Sequence, residues 1–245
     1  LTNEELDDFG DKEYILYRIE NELNTQFNTR KQLVLKTMYA YIDRRGSLYD
    51  TECLSLFGTN SFNLVWEKIC AEIMDNQLDV PLGILKLPVP LKEDYNRRQK
   101  LIELIEKPLW TITGKCAKDT LIPDLVSICK VNEQHQFIIF DAKYYNAHLE
   151  KGIVPTGQPG IESITKQYLY QLAYQRFIED HKFSSVKNCF LLPTENNEIE
   201  DKGEVRMEML SNLGLQDIKI RLIPATMAYD LYLSGSKMDM ERLDL

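Results

Sequence analysis

Long apolar runs are missing from the chain. None approaches the roughly 20 residues that a membrane span requires, and no secretory signal is visible. The expectation is a chain with no membrane segment. It begins at Leu1 and not at Met, as a fragment or a processed chain would. Cysteine is sparse and oddly numbered: Cys53, Cys70, Cys116, Cys129 and Cys189, no two at zinc-ligand spacing. Cys70, Cys129 and Cys189 sit in apolar contexts, which suits buried free thiols in a reducing cytoplasm. The three histidines, His135, His148 and His181, are isolated, and none is assigned a catalytic role. His135 is expected in a turn. There is no Walker phosphate loop, no GxGxxG fingerprint, no internal repeat and no low-complexity tract. Any nucleotide-driven step must come from another chain.

Positive charge is also short. The formal net charge is −9 over 245 residues, of which 44% are hydrophobic, enough for one large domain or one domain with an appended lobe. The acid is concentrated. Residues 1–28 carry eight acids and two bases, and residues 193–204 carry five acids and one base. The rest of the chain is therefore about neutral. Within it, residues 92–118 hold seven bases (Lys92, Arg97, Arg98, Lys100, Lys107, Lys115 and Lys118) against four acids. That strip suits phosphates or, equally, a solvated helix face.

Taken in order, residues 1–28 suggest an acidic helix with Tyr14, Leu16, Ile19 and Leu23 as its apolar members. Residues 30–45 suggest a second helix with Leu33, Met38, Tyr41 and Ile42 inward. Residues 47–58 read as a connection or short helix. The division expected is a helical N-terminal region, 1–58, and a main domain, 59–245. Residues 61–75 have the stripe Phe62, Val65, Trp66, Ile69 and Ile73 of a helix capped by Asn60 or Ser61. Four prolines and glycines make 80–96 a connector. A basic helix over 97–107 stopped by Pro108, a strand over 110–113, a loop over 146–160 and a helix over 163–180 follow. Strands are expected at 186–192, 205–210 and 218–223, an exposed acidic loop at 194–204, and a final helix from Thr226 to about Leu233.

The centre is residues 120–145, where two apolar runs flank Lys130–Gln136, the pattern of a hairpin. A turn between Asn132 and Glu133 sets Asp124 opposite Asp141, with Cβ atoms roughly 5 Å apart. Strand alternation puts Lys143 on the face of Asp141, roughly 7 Å along. Ile122, Val126 and Ile128 share a face with Phe137 and Ile139. Leu125, Ile138 and Phe140 share the other. Strands apolar on both faces suit the middle of a covered sheet. Two carboxylates and an amine there are costly unless paired or metal-bound, and an ordinary Asp–Lys pair leaves Asp124 as a like charge facing Asp141.

Pro123-Asp124, sixteen intervening residues and Asp141-Ala142-Lys143 resemble the signature of the PD-(D/E)xK nuclease superfamily. The flanks Phe62–Cys70 and Ile164–Gln171 resemble LlaJI-type restriction endonucleases, which are similar to the nuclease subunit of McrBC-type systems. The resemblance covers roughly residues 55–180. It implies an α/β fold, a central mixed sheet flanked by helices, and Mg²⁺-dependent hydrolysis of double-stranded DNA, with Mn²⁺ as a substitute. It implies metal ligation by Asp124, Asp141 and the Ala142 carbonyl, completed by an acid on the 61–75 helix. The resemblance points to Glu67, whereas helical periodicity places Glu72 nearer the stripe. Lys143 would orient water or stabilise charge on phosphorus. A glutamine of the 163–180 helix would lie near the scissile phosphate, for which Gln167 fits best. The implied partner is an AAA+ GTPase subunit that recognises DNA, and a homo-oligomer is left open. A stand-alone sequence-specific or repair nuclease, and a non-catalytic DNA-binding or assembly module, are the competing expectations.

Overall fold

The computed structural model describes residues 9–26, 29–44 and 61–245. The chain divides after Gly58 into two units. In the first, α1 (Lys12–Thr25) begins at Asp11, whose side chain accepts the Tyr14 amide, satisfying one of the unpaired donors of a helix start. It packs against α2 (Thr29–Arg44). Ile19 and Ile42 are buried, but Tyr14, Leu33, Met38 and Tyr41 are exposed. The apolar stripes expected for these helices are thus only partly covered within the unit. Residues 47–58, expected as a connection, lie outside the described residues.

The second unit opens with α3 (Phe62–Ile73). Its buried residues are Trp66, Ile69, Cys70 and Ile73, the i, i+3, i+4, i+7 stripe of a helix with one covered face. Val65, expected in that stripe, is exposed. Beyond it the chain doubles back. The amides of Leu82, Gly83, Leu101 and Ile102 donate to Gln99, Arg97, Val80 and Leu78. The amides of Leu101 and Ile102 are thus spent across the loop, and the basic helix expected over 97–107 does not form. Only a 3-10 turn, Leu101–Leu104, remains. A small hairpin of β1 (Leu109–Trp110) and β2 (Lys115–Cys116) follows, where one strand was expected.

The main sheet contains β3 (Leu125–Val131), β4 (Gln134–Ala142), β5 (Ser185–Thr194), β6 (Glu200–Val205) and β7 (Ile218–Pro224), in the order β3-β4-β5-β7-β6. The outer pairs, β3–β4 and β6–β7, are antiparallel, and the inner pairs are parallel. This is the mixed α/β sheet expected. Asn132 and Glu133 both take positive φ, 47° and 65°. That turn geometry matches the twist of its flanking strands. It fixes the pairing from Leu125 with Phe140 to Val131 with Gln134. His135 therefore belongs to β4 and pairs with Lys130, not to the turn.

Alternation assigns the two faces. Leu125, Ile138, Phe140, Cys189, Leu191 and Ile223 meet α3 and α5 (Ala225–Ser234). Val126, Ile128, Phe137 and Ile139 meet α4 (Ile161–Asp180) and the 78–105 segment, while Phe190, Leu192 and Ile220 lie with Tyr168 of the same helix. The strand β3 is an edge, not a middle strand. Its outward groups are satisfied by the chain after α3: the Val126 amide donates to Asn76 Oδ1 at 3.0 Å, and the Val126 carbonyl accepts from Gln77 at 2.8 Å. Covering an edge in this way removes a template for unwanted pairing. Ile122 lies before the strand and is exposed.

The acidic stretch expected as a loop holds β6 instead, and a 3-10 turn, Glu208–Leu213, takes the second half of the expected 205–210 strand. Cross-strand charge explains it. Glu204 faces Lys219, with 3.1 Å between charged groups, and Asp201 bonds the buried Arg221 at 2.5 Å. Opposed charges of this kind stabilise antiparallel pairs. Among the described residues, no helix is long and apolar enough to cross a membrane.

Candidate active site

The end of β4 next to the start of β3 carries the chemistry. Asp141 is 5% exposed near that end. Asp124 stands one residue before β3, and its Oδ2 accepts the Ala142 amide at 2.8 Å. The hairpin register that aligned Val126 with Ile139 thus sets the two acids opposite each other. Lys143 continues the line of β4 by donating its amide to Leu191 of β5 at 2.9 Å. Its ammonium then turns back to the acids. It lies 2.9 Å from Asp141 Oδ2, 3.0 Å from Oδ1 and 3.8 Å from Asp124 Oδ2.

The helix α3 closes the site from the side. Trp66 Nε1 donates to the Leu191 carbonyl at 3.1 Å, the same oxygen that receives the Lys143 amide. The next residue of the helix is Glu67, half-buried beside this anchor. Burial and the Asp124 charge raise the Glu67 carboxyl above its usual range, while Asn63 and Lys143 work the other way. Glu67 is therefore within the electrostatic reach of both Asp124 and Lys143. Glu72, favoured by periodicity, is exposed and paired with Lys68 at 2.8 Å and Lys237 at 3.8 Å. Phe62 and Tyr144, with ring centroids 4.9 Å apart, fasten the helix start to the chain beyond Lys143.

Burial first, and then the facing Asp124, push the Asp141 carboxyl well above the ordinary carboxylate range, against the pull of Lys143. For Lys143, burial opposes the charge, but Asp141 and Asp124 outweigh it and raise the ammonium above its usual value. Two acids of one sign share a poorly hydrated place with one cation. Asp141 Oδ2 is buried and pairs ionically with the Lys143 ammonium at 2.9 Å, without an aligned hydrogen bond. One ammonium balances only one of the two facing carboxylates, and the excess negative charge is costly to bury. It fits a hard cation, and so does an all-oxygen donor set. Among the described residues, no group of three or more His, Cys, Asp or Glu side chains is close enough to hold a metal together. The pair Asp124 and Asp141 is what the fold brings together, with Glu67 at its margin.

Gln167 is not brought to the opening. It is fully buried in α4, and its amide donates to the Ile139 carbonyl at 2.7 Å. It braces β4 two residues before Asp141, which a reading of the helix stripe alone did not separate from a phosphate contact. The neighbouring Lys166 pairs with Glu162 at 2.6 Å on the surface. A residue missed from the sequence is Tyr170. Its hydroxyl donates to Ile122 O at 2.9 Å, and burial followed by the charges of Asp141 and Asp124 raises it. Its place three residues after Gln167 on the same helix was the available signal. The 146–160 loop is closed by a His148–Thr156 bridge, His148 N to Thr156 O at 2.8 Å. Gly157 has φ +65°, and a Cβ there would meet Asn146 O at 2.3 Å, so only glycine fits. The basic strip is partly neutralised by acids. Lys92 pairs with Asp180 and Lys100 with Asp79. Cys70 and Cys189 are buried and free, while Cys129 is only half-buried and Cys116 is exposed.

A mixed sheet sandwiched by helices, with acids and a lysine at its strand ends, defines an α/β architecture of the restriction-endonuclease kind. The chain belongs to the LlaJI restriction endonuclease family, whose model matches residues 1–229. It is similar to the Type II restriction enzyme BsuMI component YdjA of Bacillus subtilis (strain 168). The two are 27% identical over 232 residues, 92% of this chain and 44% of that protein. The chain thus spans less than half the length of that relative. No solved structure matches it.

Proposed function

We propose that the chain is the PD-(D/E)xK nuclease part of a restriction system that defends against phage, hydrolysing phosphodiester bonds of double-stranded DNA with Mg²⁺. The observation that carries this reading is the convergence of two facing carboxylates, Asp124 and the buried Asp141, on a single ammonium, Lys143. Asp124, Asp141 and the Ala142 carbonyl would hold the metal, with Glu67 beside them and Mn²⁺ as a substitute. When bound, the ion supplies polarisation of the phosphoryl group and activation of water. Lys143, held charged by two carboxylates, is suited to stabilise negative charge on the phosphoryl oxygens and not to accept a proton. The covered β3 edge and the Trp66 anchor hold these groups in place before substrate arrives.

Recognition is proposed to be shared. The chain is acidic overall, and YdjA is by its name one component of an enzyme. A GTP-hydrolysing AAA+ subunit that recognises DNA is the partner proposed, in the manner of McrBC-type systems. Free thiols at Cys70 and Cys189 support a cytoplasmic site of action. The test is plasmid cleavage with Mg²⁺, with and without the product of the neighbouring gene. Cleavage that disappears in EDTA and in Asp141→Ala supports the reading. Equal cutting by Asp124→Ala, Asp141→Ala and Lys143→Ala would falsify it.

A further inference from the structure

The hairpin Leu109–Cys116 is paired along its length, yet every one of its residues is exposed. Its base is closed by the Ala117 amide on the Pro108 carbonyl at 2.7 Å, and its pairs are Leu109 with Cys116 and Trp110 with Lys115. Its tip is closed by the amides of Thr113 and Gly114 on the Trp110 carbonyl, at 3.0 and 2.9 Å. Gly114 takes φ +63°, as the turn demands. Despite this definition, Leu109, Trp110 and Ile112 are 60%, 64% and 96% exposed. An isolated two-stranded hairpin is marginal in water, and three large apolar side chains along it are a liability unless something covers them.

Charge selects the occupant. From Lys107 to Lys118 the chain has three lysines and no acid, although its net charge is −9. The ammonium groups of Lys115 and Lys118 form no ion pair among the described residues, while Lys107 donates to the Lys118 carbonyl at 2.9 Å. Opposed residues of an antiparallel pair share a face, so Trp110 and Lys115 project together. An aromatic ring beside an ammonium presents one group for a base and another for a phosphate. Five residues lie between Lys118 and Asp124, so Lys118 lies within about 22 Å of the acids.

We propose that this hairpin is a DNA wedge: Trp110 and Ile112 enter a groove of the duplex against a base step, with Lys107, Lys115 and Lys118 on the flanking phosphates. Apolar side chains inserted between base steps, beside cations on the backbone, are an established means of holding and bending a duplex. The inference rests on the nuclease reading for its substrate. It is tested by binding without cleavage, so the two can fail separately.

The chain has two tryptophans. Trp66 is fully buried and Trp110 is not, so acrylamide reaches chiefly Trp110. The full-length chain is titrated with a fluorescein-labelled duplex of about twenty base pairs, without divalent ions. Anisotropy reports binding, and acrylamide quenching reports Trp110. The wedge predicts that duplex binding shields Trp110. It predicts that the double variant Trp110→Ala/Ile112→Ala binds at least about tenfold more weakly, that Trp110→Phe recovers most of the loss, and that each lysine changed to Ala lowers the log–log salt slope by roughly one. Binding with Trp110 still open to quencher overturns the proposal. So does no binding at low salt, or shielding that rises with protein concentration alone and marks a self-association surface. A chain that cuts DNA but whose hairpin variants bind and cut like the parent loses the wedge and keeps the nuclease. A chain that cuts nothing, yet shields Trp110 with duplex, loses the nuclease and keeps the wedge.

Discussion

The Asp124 carboxylate accepts the Ala142 amide at 2.8 Å, so one acid of the candidate site is clamped to the strand that carries the other. A carboxylate held this way cannot swing out to solvent without releasing a backbone donor. The site is therefore built before any ligand arrives, and its groups can be tested singly.

Removing either acid or the amine should remove chemistry and spare the fold. Asp141→Asn, Asp124→Asn and Lys143→Met are expected to lower the single-turnover rate on plasmid DNA by about a hundredfold or more, the usual cost of losing one preorganised charge-stabilising group. Circular dichroism should match the parent. A variant that cuts at the parental rate takes its residue out of the site.

Metal binding should be visible without any substrate. A ligand at ten times its dissociation constant stabilises the folded state by about 1.4 kcal/mol, which for a chain of this size is a rise of roughly 3–6 °C in Tm. Mg²⁺ is expected to raise the Tm of the parent and to leave that of Asp124→Ala/Asp141→Ala unmoved. Calorimetry that shows equal rises in both proteins places the ion elsewhere.

Glu67 and Glu72 make a paired comparison. Glu67 senses Asp124 and Lys143, whereas Glu72 is exposed and bound to Lys68 and Lys237. Glu67→Gln should slow cleavage by about tenfold or more through altered charge beside the acids. Glu72→Gln should leave the rate within twofold, because an exposed pair contributes about 0–1 kcal/mol. The reverse pattern would return the role to Glu72.

Gln167 should be a stability residue. Its amide meets the Ile139 carbonyl in a fully buried place. Gln167→Ala leaves that carbonyl unpaired and opens a cavity, for a loss of about 2–4 kcal/mol. Urea unfolding measures it. An unchanged midpoint with a lost cleavage rate would mark the side chain as catalytic instead.

How much of this was legible beforehand depends on distance along the chain. A two-residue turn between two apolar runs determines its own register, because side chains alternate with a period of two and a slip would expose every buried residue. Asp124, Asp141 and Lys143 therefore came together on paper as they do in space. The helix expected over 97–107 does not form, because the Leu101 and Ile102 amides serve Val80 and Leu78, more than twenty residues away, which no local pattern reveals. The acidic strand β6 was misread for the same reason: its charges are answered by Lys219 and Arg221 on β7.

The sequence by itself determined the hairpin, its turn at Asn132 and Glu133, the facing acids, and the helical stripes of α3 and α4. These rest on contacts within one element or between adjacent ones. Only the tertiary structure decided that β3 is a covered edge, that Glu67 feels the charge of Asp124 while Glu72 pairs with Lys68 and Lys237 on the surface, and that Gln167 is fully buried against β4. A helix exposes several candidate residues around its circumference, and the side that meets a neighbour is set by anchors such as Trp66 on Leu191, which join residues 125 positions apart in the chain.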